Sequence, residues 1–168
     1  MKMKMKTASK SCLKCGAKAL SPSTFSATRK VARHAFKDDL AATQCGTCGE
    51  ELVDGRAFEA FDLRVALELA RAGIAAPDAL QFMRSATGLR GKEFGALLGL
   101  SAEHISRVET GKSPADKRTV ALLAGLLEDQ AEGTTRTLDQ LRAQGHPRKL
   151  SGTIRFQKPS AARTGRRR

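Results

Sequence analysis

Four cysteines, arranged as Cys12-x-x-Cys15 and Cys45-x-x-Cys48, constrain this chain more than any other feature, and they are its only cysteines. A glycine follows each pair at once, Gly16 and Gly49. Four thiolates at this spacing can close a tetrahedral shell around one Zn²⁺ and leave no position for water. Such a site organises a small domain and does not catalyse. The glycines suit the same reading, because the chain must turn sharply past each second cysteine, often at positive φ, and a residue without a Cβ does so freely. One structural zinc per chain, held by Cys12, Cys15, Cys45 and Cys48, is therefore expected. Two disulfides are the rival arrangement, but nothing in the sequence suggests an oxidising compartment. A redox Cys-x-x-Cys would need one reactive pair, and this chain has two matched ones.

At 168 residues there is room for one domain or two small ones. Aromatics are scarce, with seven Phe and no Trp or Tyr, so metal is expected to supply in the N-terminal third what packing cannot. The net charge of +13 is unevenly placed. Residues 1–37 hold ten Lys/Arg and no Asp/Glu, and residues 38–75 hold three basic and eight acidic side chains. Residues 76–145 hold nine of each sign, and residues 146–168 hold eight basic and no acidic ones. Basic ends around a balanced middle point to a polyanionic partner, nucleic acid first. The plainer reading is a pair of solvated tails that aid solubility. Met1 to Lys10 is basic with no apolar core after it, unlike a secretory signal. No run approaches the roughly 18 apolar residues that span a bilayer. No membrane association and a cytoplasmic, nucleoid-associated location are the expectation.

Residues 1–10 read as a disordered basic tail. Residues 11–53 read as a four-cysteine zinc module of short strands between knuckles, with Phe25, Val31, Phe36 and Leu40 as scattered apolar positions. Residues 54–75 read as a connecting helix. Phe58, Phe61, Val65 and Leu69 fall on one face, Leu63, Ala66, Leu67 and Ala70 add a second stripe, and Gly73 stops the run. So wide an apolar arc predicts burial on more than one side, either against the chain's own domains or in a dimer or partner surface. Residues 76–145 read as five helices, near 77–87, 91–98, 102–109, 116–127 and 135–143. Residues 146–168 have no periodicity and read as a second disordered basic tail, in which 153–156 suits a short strand.

Residues 89–111 carry a second motif. Two short helices flank a tight turn. Gly95 sits where the helices would cross closely, Gly99 lets the chain turn, Leu100 is expected to plug the core, and Ser101 is a good N-cap. Ile105 and Val108 point inward, leaving Ala102, Glu103, His104, Ser106 and Arg107 outward. This is the pattern of a helix-turn-helix, whose second helix enters the DNA major groove. The stretch resembles the lambda-repressor-like (Cro/C1 or XRE) family through Gly99-Leu100-Ser101, Ile105-Ser106-Arg107, Glu109-x-Gly111, and then Thr119, Leu122, Leu123 and Leu126. The resemblance implies that Glu109 pairs with Arg84. Where that family often has a phosphate-binding Gln, this chain has Gly91.

Taken together, the paired knuckles, connecting helix and C-terminal helix-turn-helix look like the MqsA antitoxins, the YgiT-type zinc finger family, over roughly residues 12–130. The resemblance implies a homodimer that represses its own operon and neutralises a ribonuclease toxin of the MqsR class. The family's recognition-helix asparagine falls on Glu103, while its arginine is matched by Arg107. The long basic ends are atypical of the family.

Among the candidate DNA-binding residues, Arg90, Lys92, Ala102, Glu103, His104, Ser106, Arg107 and Lys112, Arg107 suits a bidentate contact to guanine O6 and N7. Its alternative is a solvated or intramolecular arginine. Glu103 suits cytosine N4, or repels phosphate. His104 reaches a base or phosphate, or is a spectator. Ser106 and Lys112 suit phosphate contacts, which position without specifying. His34 is expected on the surface, since four cysteines fill the metal shell. No catalytic constellation or phosphate-cradling loop is evident, so no enzyme is expected.

The combined reading is a mainly α, α+β protein: a small N-terminal four-cysteine zinc-ribbon module, a connecting helix and a five-helix lambda-repressor-like domain. It would bind a palindromic double-stranded operator as a dimer, as an autoregulating antitoxin. The rivals are a regulator of this architecture without a toxin, and an RNA- or ribosome-associated zinc-ribbon protein.

Overall fold

The computed structural model of the chain describes residues 11–145 together with Pro147, Lys149 and Gly152. The basic tails expected over 1–10 and 146–168, and the short strand expected over 153–156, lie outside the described residues apart from those three. The chain is of the mixed α+β class expected, with a three-stranded sheet first and six helices after it among the described residues.

Strands β1 (Leu20–Val31) and β2 (His34–Cys45) form an antiparallel hairpin, and β3 (Glu51–Val53) pairs with β2 at its metal-site end. The expectation of short strands is corrected here, since β1 and β2 run twelve residues each. The reason lies in packing. One face of the hairpin carries Phe25, Ala27, Val31, Phe36 and Leu40, buried or half-buried against the helices, while the other carries Thr24, Ser26, Thr28 and Lys30 in solvent. Alternation this dilute is hard to see in a sequence rich in Ser, Thr and Ala. The turn is equally unmarked. Ala32 and Arg33 occupy it at φ 50° and 66°, where Asn-Gly would be favoured. Two such residues cost about 1–2 kcal/mol each, offset in part by the Ala32 N–H, which donates to the Asp78 carboxylate at 2.8 Å.

Helix α1 (Gly55–Arg71) is N-capped by Asp54 and ends at Gly73, whose φ of 66° closes it. It buries Phe61, Val65, Ala66, Leu67, Leu69 and Ala70. The wide apolar arc is spent inside the chain. α1 packs against β2 on one side and against α2 (Pro77–Ala86) and α5 (Lys117–Ala131) on another. The arc thus needs no dimer or partner surface to explain it. Arg29 of β1 ties the hairpin to α1 through a two-bond pair with Asp62, at 2.6 and 3.2 Å, and lies over the Phe58 ring at 5.6 Å. Phe25 meets Phe58 edge-on, with centroids 5.8 Å apart.

The core is continuous. Ala27, Val31 and Leu40 of the hairpin belong to the same buried cluster as Leu69, Met83, Leu123 and Leu127 of the helices. A zinc module with a core separate from the helical domain is therefore not what the chain forms. The short helices α3 (Gly91–Leu98) and α4 (Ala102–Glu109) pack on each other, and α6 (Arg136–Gly145) lies against α5 and α3. Gly125 makes the α5–α6 approach possible, since a Cβ there would meet Thr137 Oγ1 at 3.1 Å.

Candidate metal centre and nucleic-acid interface

Each Cys-x-x-Cys-Gly segment folds as a tight turn. Gly16 N–H donates to the Cys12 carbonyl at 2.9 Å and Gly49 N–H to the Cys45 carbonyl at 2.8 Å, with φ of 75° and 73° at the glycines. These are the positive values that the sequence predicts. The two turns face each other, because Cys45 ends β2 opposite Leu20 while the Cys12 turn lies just before β1. All four sulfurs fall within 4.8 Å of one another. Cys12 Sγ lies 3.6 Å from Cys48 Sγ, and Cys15 Sγ lies 3.7 Å from Cys45 Sγ. A metal–sulfur bond of about 2.3 Å gives a tetrahedral edge of about 3.8 Å, so the donor set fits one tetrahedral ion. Disulfide bonding would require about 2.05 Å, and the four cysteines are free.

The thiols are not electrostatically alike. The backbone amides of Cys48 and Thr47 hold the Cys45 thiol down to about 6, and those of Cys15 and Lys14 lower Cys12. The Glu50 amide pulls Cys48 down too, but the thiols of Cys15, Cys12 and Cys45 and its own desolvation outweigh it and push Cys48 up to about 12. Four sulfurs this close cannot all carry charge without a cation among them. Cys12 and Cys45 are buried, whereas Cys15 and Cys48 are exposed. His34 is exposed at the opposite end of the hairpin, as expected of a residue outside the metal shell.

In the helical part, Gly99 ends α3 at φ 68° and Ser101 caps α4 by accepting from His104 N–H at 3.1 Å. Gly95 is the close-crossing residue. A Cβ there would lie 2.7 Å from the Leu100 carbonyl oxygen and 3.3 Å from Ile105 Cγ1. Arg84 Nε and Nη2 grip Glu109 at 2.5 and 3.0 Å, and Arg84 Nη1 donates to the Leu89 carbonyl at 2.7 Å. Both partners are nearly buried, so the pair locks α2 to the end of α4.

Leu100 does not plug the core. It is 36% exposed, because the left-handed turn at Gly99 carries its side chain outward and Phe94, Ile105 and Val108 already fill the space beneath. Ala102, Glu103, His104, Ser106 and Arg107 are all exposed on α4, above buried Ile105 and Val108. Arg90 and Lys92 are exposed at the start of α3, where Glu93 accepts from Arg90 N–H at 2.8 Å. Gly91 between them stands beside Ile105, 3.7 Å from its Cγ2 to an added Cβ, which brings this helix start against α4. Lys112 is exposed just past α4, in a turn whose Lys112 and Ser113 amides both donate to the Arg107 carbonyl.

Sequence reading overlooked two groups. Lys117 and Arg118 are exposed at the start of α5, Arg118 paired with the capping Asp116 at 2.6 Å. Their signal was a basic pair directly after Pro114 and a capping Asp116. Asp129 is buried and caps α6 from α5, accepting from Thr137 N–H at 2.5 Å and Thr134 Oγ1 at 2.9 Å. The Thr137 amide above all holds its carboxyl below the usual range.

A sequence profile described as a helix-turn-helix domain matches residues 78–132, which runs from α2 to the end of α5. A search of curated proteins found no match. No helix among the described residues is long and apolar enough to cross a membrane. Residues 78–132 thus carry a helix-turn-helix domain, which supports a DNA-binding regulator, joined through one core to a sheet whose four clustered cysteines could hold a metal ion.

Proposed function

We propose that the chain is a zinc-bearing, homodimeric repressor that binds a palindromic operator in its own promoter and serves as the antitoxin of a ribonuclease toxin. The observation that carries the DNA half is the solvent-facing set on α4, with Arg107 among it, held rigid by the Gly95 crossing, the Ser101 cap and the Arg84–Glu109 pair. Zinc, bound by the four thiolates, would pin the open end of the hairpin and take no part in any reaction. The protein would work without enzymatic activity, in the cytoplasm at the nucleoid.

The antitoxin half is supported by the family resemblance and by the exposed acidic side chains Asp39 and Glu51 on the sheet. A surface that binds RNA is basic, so a partner that blocks it should be acidic. Other acids of that segment are engaged within the chain, Asp38 with Arg64 and Glu50 with Lys14. That engagement favours a second reading, a regulator of the same architecture with no toxin.

Two measurements decide between them. Selection of duplexes from a random pool by the full chain should return a pseudo-palindrome with half-sites about one helical turn apart, or a multiple of it. Co-expression with the product of the adjacent gene should yield a complex and relieve toxicity, and Asp39→Lys with Glu51→Lys should weaken it. A selected palindrome without a complex would leave the second reading standing. Preference for structured RNA over every duplex would overturn both.

A further inference from the structure

We propose that the tip of the β1–β2 hairpin is a second DNA contact, in which Arg33 and Lys30 take the phosphodiester backbone beside the segment read by α4. The inference rests on the DNA-binding reading of α4 and adds to it a part of the molecule outside the helix-turn-helix.

A chain of close contacts carries it. The hairpin extends away from the metal cluster, and its turn is fastened to the start of α2 by the bond from Ala32 N–H to Asp78. Pro77, the first residue of α2, lies against Gly111, where an added Cβ would stand 3.3 Å from Pro77 Cγ. Gly111 leads directly into Lys112, at the end of α4. The hairpin tip, the start of α2 and the exit of α4 therefore form one neighbourhood of the fold.

The exposed charge there is mainly basic, and the two acids are both engaged, Asp78 by backbone amides and Asp116 by Arg118 at 2.6 Å. Lys30, Arg33, His34 and Lys37 are all exposed on the tip, and Lys112 and Lys117 are exposed beyond α4. Asp78 is the carboxylate held against the turn, and its oxygens are turned onto the Ala32 and Ala79 amides. Arg29 is already committed to Asp62. Lys30 points from the hairpin face opposite buried Val31, and so stays free of the core. Phosphate contact also accounts for the identity of Arg33. A glycine would take φ 66° without strain, yet a long cationic side chain stands there. Strain at an exposed turn is often a mark of use.

The test uses the full chain and a duplex that it has itself selected. Affinity is measured over a salt series for the wild type, Arg33→Asn, Arg33→Lys and the double variant Lys30→Gln/Arg33→Asn. Asparagine accepts positive φ, so folding should hold, and thermal unfolding checks it. If the tip holds phosphates, the double variant loses affinity for selected and random duplexes by the same factor. The slope of log K against log salt then falls by about 0.9 for each contact removed, and Arg33→Lys keeps the wild-type slope. An unchanged slope in the folded double variant, with the selected duplex still bound, would overturn the tip contact and leave the α4 reading intact. If the wild type selects no duplex, both fall together.

Discussion

Arg107 is the residue on which specificity should turn. It is exposed on α4, between buried Ile105 and Val108, and its own carbonyl is engaged by the amides of Lys112 and Ser113, which fixes the end of the helix. Arg107→Ala should cost about 1–3 kcal/mol on the selected duplex and relax the preference at one base pair. Equal loss on selected and random DNA would contradict a base contact. Gly95 offers a sharper structural test. The atom that an added Cβ would strike is a backbone carbonyl, which cannot swing aside. Gly95→Ala should destabilise the fold by about 1–3 kcal/mol, read as a lowered Tm, and should weaken DNA binding by separating α3 from α4. Asp129 sets a pH dependence. Its folded carboxyl is held below the ordinary value, chiefly by the Thr137 amide. The stability it adds is therefore present above the unfolded value, about 3.9, and is lost as pH falls through the lower folded value. Unfolding of the wild type and Asp129→Asn should differ at neutral pH and converge in acid.

At the scale of elements, the hairpin has two ends with different anchors. The open end, where Leu20 pairs with Cys45, lies beside the four cysteines, whereas the tip half contributes Ala27, Val31 and Leu40 to the common core. Elemental analysis should find one zinc per chain, and Cys45→Ser should abolish it. Hydrogen exchange in that variant should rise around residues 12–23 and 42–53 but stay slow near Ala27, Val31 and Leu40. Loss of protection across the whole hairpin would mean that the shared core contributes less than the burial of those side chains implies. α1 accounts for the difference from a free-standing zinc ribbon. Its two apolar stripes are satisfied by β2 on one side and by α2 and α5 on another, so neither part has a finished core without it.

For the whole molecule, charge and shape lead to separable effects. Removal of residues 146–168 takes away eight basic side chains and no acidic ones. Binding to all duplexes should weaken alike, with a shallower salt dependence, whereas Arg107→Ala should leave the salt slope nearly unchanged. A titration of both variants against selected and random DNA separates the two contributions.

Much of this architecture was legible from local pattern. The cysteine spacing implied a closed tetrahedral site, and the sulfurs do gather within one shell. Glycine and capping residues marked the helix ends, since a left-handed residue or a side-chain cap acts within a few positions of itself. Gly95, Ser101 and the Arg84–Glu109 pair were readable for the same reason, together with a family pattern that extends over residues 78–132. The long strands were not readable, because their few large apolar residues are diluted among Ser, Thr and Ala and their turn lacks Asn-Gly. Nor was the outward Leu100, whose place depends on how Phe94, Ile105 and Val108 fill the volume below it. The union of sheet and helices into one core, the capping of α6 by Asp129 and the seating of the hairpin tip on Asp78 were decided only in three dimensions. Each joins residues whose partner is chosen by packing, and packing acts between segments that carry no mark of one another in the chain.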